Sequence, residues 1–85
     1  MNKAELIDTI EQMMAAPLPQ LHEGRDWFKR WRFVLDAIDN PGLGLDPEFF
    51  HFIHHYVADA DIRFKDADYR DSQDAAMKTH LQRYR

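Results

Sequence analysis

Three of the chain's five histidines, His51, His54 and His55, fall within five positions, and Asp59 and Asp61 follow closely behind. Imidazole and carboxylate are the side chains that ligate divalent ions and move protons near neutral pH. His51, His55 and Asp59 recur every four residues, so on one helix they share a face. That spacing admits a divalent-metal-dependent function through His51, His55 and Asp59. The set is incomplete: structural and catalytic zinc sites take three or four protein ligands, and there is no HExxH pattern to finish it. His22 and His80 stand isolated in the sequence.

A second stretch, Trp27-Phe-Lys-Arg-Trp-Arg-Phe33, interleaves aromatic rings with basic groups, as in surfaces that bind single-stranded nucleic acid. This aromatic and basic face supports a second alternative, nucleic-acid binding. The formal net charge of −4 weighs against it, because phosphate contacts need concentrated positive charge. The aspartates between Asp59 and Asp74 do not form a calcium loop, since neither the glycine nor the glutamate of an EF-hand is in place. Gly42-Leu43-Gly44 suits a turn between helices rather than a phosphate cradle. With no cysteine there is no disulfide, thiolate zinc site, iron–sulfur cluster or thiol nucleophile, which fits a reducing compartment. The expectation is a protein with no catalytic activity of its own and no cofactor.

The elements that position these residues follow from periodicity. Asn2 and Glu5 resemble a capping pair, and Leu6, Ile7, Ile10, Met13 and Met14 recur at helical spacing, predicting a helix over about 3–16. Pro17 ends it, and Leu18 and Leu21 of the following connection are expected to turn back toward the core. Trp27, Phe28, Trp31, Val34, Leu35 and Ile38 form the apolar side of a helix over about 25–39, ended by Asn40-Pro41-Gly42. Phe33 falls on its polar side. Asp46-Pro47-Glu48 is a strong start signal: a preferred cap, a proline at the first helical position and an acid near the positive end of the helix dipole.

The next helix has Phe49, Phe50, Phe52, Ile53, Tyr56, Val57, Ala60 and Phe64 as its apolar face, and His51, His54 and His55 project away from it. Asp59-Ala-Asp-Ile-Arg63 recurs as Asp66-Ala-Asp-Tyr-Arg70, seven residues later. Seven residues are nearly two turns, so the repeat predicts one helix over about 47–70, with its arginines as counter-charges on a solvated acidic face. Asp71-Ser72 then caps a last helix over about 72–84; a single helix from 47 to 84 is the alternative. With no hairpin or strand pattern, the fold class is all-α, a small antiparallel bundle of three to four helices in one domain.

Hydrophobic residues make up 45% of the chain, enough for a packed core, yet no apolar run is long enough to span a membrane. The N-terminal stretch lacks the basic-then-apolar order of a signal peptide, so a soluble cytoplasmic protein is expected. Opposite the core, His51, His55, Ile62 and Tyr69 would line a mixed stripe, with Phe33 as a second exposed anchor. Aromatic side chains on such stripes favour protein interfaces. The expected function is therefore protein–protein contact, as a homo-oligomer, adaptor or regulator.

Overall fold

A computed structural model describes residues 1–17 and 24–84. The expected inward turn of Leu18 and Leu21, and the placement of His22, lie outside the described residues. α1 (Lys3–Ala15) begins where Asn2 accepts a hydrogen bond from the Glu5 amide at 2.8 Å. That bond satisfies one of the donors a helix start leaves without a partner. α1 buries Leu6, Ile7, Ile10 and Met13, the apolar stripe read from its spacing.

The helix expected over 25–39 is two pieces, α2 (Gly24–Trp31) and α3 (Phe33–Ile38). Arg32 between them keeps helical angles, and its carbonyl accepts from the Leu35 amide at 2.9 Å, so the joint is one tightened turn. After α3 a single 3-10 turn, Pro41–Leu43, is closed by the Asn40 side chain accepting from the Gly42 amide at 2.9 Å. Gly44 then adopts φ +64°, which a side chain would strain. This reversal drops Leu43 into the core and aims the chain at α4 (Pro47–Ala58), capped as its sequence predicts by Asp46, which accepts from the Phe49 amide at 2.8 Å.

Beyond α4 the structure departs from the expected 47–70 helix. Asp59 leaves helical geometry (φ −101°, ψ 19°), α5 (Ala60–Lys65) follows, Asp66 is extended (φ −128°, ψ 103°), and α6 runs over Ala67–Gln82. The predicted start at 72 therefore lies inside α6. A local bond accommodates the second break: the Asp66 side chain accepts from the Tyr69 amide at 3.1 Å, offering the backbone a cap in place of continued helix. The seven-residue repeat thus marks two helix starts rather than one uninterrupted helix.

The bends re-aim side chains. Phe64, expected in the core, is 45% exposed, while Arg63, expected in solvent, is 1% exposed. Phe28, placed on the core side by spacing, also remains outside at 36%. The core itself is Leu6, Ile10 and Met13 of α1, Trp27, Trp31, Val34 and Ile38 of α2 and α3, Phe49, Ile53 and Val57 of α4, and Met77 and Leu81 of α6. Each such large side chain contributes about 1.5–3 kcal/mol when fully buried. α5 lies packed between α2 and α6, and α1 rests on α3. The all-α class is thus realised as a bundle of 35 × 23 × 19 Å, and among the described residues no helix is long and apolar enough to cross a membrane.

Candidate functional site

The most unusual group in the structure is Arg63. Its Nη1 donates to the Tyr56 carbonyl and, at 2.8 Å, to Gln73 Oε1. Its guanidinium lies 3.7 Å from the Tyr56 ring centroid and 5.2 Å from that of Trp27. No carboxylate among the described residues touches it. The nearest negative charges are each one side chain away: Gln73 donates at 3.0 Å to the Tyr69 hydroxyl, which donates at 2.7 Å to Asp59, and the Tyr56 hydroxyl donates at 2.8 Å to Asp74. Burial pulls the guanidinium below its ordinary pKa, and the charges around it, Asp74 and Asp59 among them, oppose that pull. Nε and Nη2 are buried without a partner among the described residues.

All three tyrosines of the chain donate to aspartates: Tyr56 to Asp74, Tyr69 to Asp59, and Tyr84 to Asp46. Burial, then the bond to Asp74, drives the Tyr56 phenol well above its ordinary range. The bond to Asp59 raises Tyr69, and burial with the bond to Asp46 raises Tyr84. The Tyr84 hydroxyl and then the Phe49 amide hold Asp46 below the usual carboxylate range. Phenols move up and the carboxylate moves down, away from neutrality in both cases. Such pairs fasten helices together and are poorly suited to general acid–base work near pH 7.

His51 and His55 are exposed on α4, as their spacing predicts. Asp59 does not join them, because it terminates α4 and its carboxylate is taken by Tyr69. Among the described residues no three His, Cys, Asp or Glu side chains gather as a metal-ligand group, so the proposed His51, His55 and Asp59 set is not assembled. His54 is half-buried, its ring 4.8 Å from that of Phe50 and its Nε2 enclosed without a partner.

The continuous outer stripe from His51 to Tyr69 is likewise corrected. The breaks at Asp59 and Asp66 divide it, leaving Ile62 exposed at 41% and turning Tyr69 back into the molecule. Phe33 is exposed at 45%, stacked on Trp31 with centroids 6.0 Å apart. Trp27 and Trp31 are buried, so of the aromatic rings in this stretch only Phe28 and Phe33 are open to a partner.

Sequence reasoning missed Arg63, Gln73 and His80, all buried. His80 lies between the Phe49 and Phe52 rings, with centroids 5.1 and 5.0 Å away. A signal was present: Gln73, Met77 and His80 share one helical face, and Arg63 follows Phe49 and Tyr56 at seven-residue steps. Two shallow hollows of about 500 Å3 flank α1. Asp74, Lys78 and Leu81 line one and Tyr84 lines the other, without convergent groups for a reaction. Compared with known proteins, the chain matches no family model, no curated protein and no solved structure.

Proposed function

We propose that the protein acts in the cytoplasm by contact with protein surfaces, as a homo-oligomer, adaptor or regulator, and carries no reaction of its own. One observation supports this above the others. Of the five large apolar side chains left exposed among the described residues, four, Phe28, Phe33, Ile62 and Phe64, belong to α2, α3 and α5. α2 packs on both α3 and α5, so the elements that carry these residues adjoin one another. Scattered exposed apolar groups are ordinary, but large ones gathered on adjoining elements mark interaction surfaces. His51 and His55 would serve at a polar rim, where they add complementarity rather than energy.

The test is a photocrosslinking amino acid placed at position 33, 62 or 64, with position 79 on α6 as a control, in chains expressed in their own cells. Protein adducts formed from the first three positions and not from the control are expected. Absence of any protein adduct from all three would remove this function.

A further inference from the structure

We propose that α5 is a latched flap: it lifts off α2 and α4 as an event separate from unfolding of the bundle, and Arg63 is its latch. One residue ties both ends of the flap. The Tyr69 hydroxyl donates to the Asp59 carboxylate at 2.7 Å, and the Tyr69 amide donates to the Asp66 side chain at 3.1 Å. Asp59 and Asp66 are also the two positions that leave helical geometry, so the chain is already bent at both hinges. The segment between them can move while its ends stay pinned to the first turn of α6.

Little besides Arg63 holds the middle down. The buried side chains of α5 are Ala60 and Arg63, while Ile62 and Phe64 are exposed. Ala60 contributes one methyl group, so closure depends on the guanidinium. In its favour are the bonds from Nη1 to the Tyr56 carbonyl and to Gln73, and the contacts with the Tyr56 and Trp27 rings. Against them stands the lost hydration of a charge that faces a neutral amide, with Nε and Nη2 bonded to nothing among the described residues. The carboxylates that could neutralise it, Asp59 and Asp74, are engaged by the hydroxyls of Tyr69 and Tyr56.

For a buried cation without a counter-charge in contact, desolvation offsets much of the attraction, so the closed flap is poised close to release. A six-residue helix lifted from its packing has no stability of its own and unwinds, which opens its amides to exchange. In the lifted state the guanidinium regains water, and the faces of the Trp27 and Tyr56 rings that it covers meet solvent. The flap needs no partner, so its failure would leave the contact function above untouched.

Amide exchange of the full chain, followed against urea, tests the flap. Residues 61–64 are expected to exchange at least about tenfold faster than the buried amides of α4, with a much weaker dependence on urea, because lifting one short helix exposes little surface. Val34 is buried in α3, away from α5. Val34→Ala should therefore speed exchange in α4 at least about tenfold and leave 61–64 unchanged. Arg63→Lys keeps the charge and loses the planar group, and should speed exchange at 61–64 about tenfold. Gln73→Glu supplies the missing counter-charge and should slow it about tenfold; if Arg63→Lys does not fold, Gln73→Glu decides alone. Exchange at 61–64 with the rate and urea dependence of α4, or speeded by Val34→Ala as much as α4 is, means that the segment opens only with the whole bundle and overturns the flap. Exchange at 61–64 that ignores the Arg63 and Gln73 variants, or moves against these directions, overturns Arg63 as its latch.

Discussion

Arg63 brings a charge into the centre of an 85-residue domain, where the hydrophobic margin is small. Truncating it leaves the Tyr56 carbonyl and Gln73 Oε1 without their donor and opens a cavity. Arg63→Ala should therefore lower unfolding stability by about 3 kcal/mol, read by urea denaturation. Arg63→Met fills the space without a charge to desolvate, and together with Gln73→Leu should cost less than about 1 kcal/mol. The three tyrosines make a prediction in pH. Each is held protonated above its ordinary value of about 10, so its contribution is fully present below that pH and lost as pH rises through the higher folded value. Phenolate absorbance should accordingly appear together with loss of helical circular dichroism, and titration of tyrosines in an intact bundle would contradict the clasps. At the acid end the sign is reversed. Asp46 is depressed, so its contribution is present above the unfolded carboxylate value and fades as pH falls through the folded one; Tyr84→Phe should reduce this acid sensitivity.

At the scale of elements, the caps decide the path of the chain. Asp66→Ala removes the bond to the Tyr69 amide and should cost about 1 kcal/mol, with faster amide exchange confined to the first turn of α6. The starts of α1 and α4 were legible in the sequence because Asn2 and Asp46-Pro47 precede strong apolar stripes, so cap and periodicity agree. The breaks at Asp59 and Asp66 were not, because the seven-residue repeat satisfies helical periodicity whether the chain continues or restarts. What chooses between them is tertiary: burial of Arg63 against Trp27 and Tyr56, and of Gln73 beneath it, between helices distant in sequence. The same breaks explain why His51 and His55 lie outside as their spacing predicts while the stripe beyond them is divided; His54, expected outward as well, is half-buried against Phe50. His51 and His55 precede the first bend; Ile62, Phe64 and Tyr69 follow it.

In the whole molecule, stability is unevenly spread. α5 has six residues between two interruptions, and its burial consists of an alanine and an arginine. Local opening follows low apolar contact, so amide exchange should be faster in α5 than in α4. Equal protection of α5 and α4 would contradict this ordering. Trp27 and Trp31 are the chain's two indoles, both enclosed, and one faces the guanidinium of Arg63 across the α2–α5 seam. Their emission is consequently a built-in optical gauge. Separation of α5 from α2 admits water to the indoles and shifts their fluorescence to the red, so the detachment of one short helix can be timed without any label.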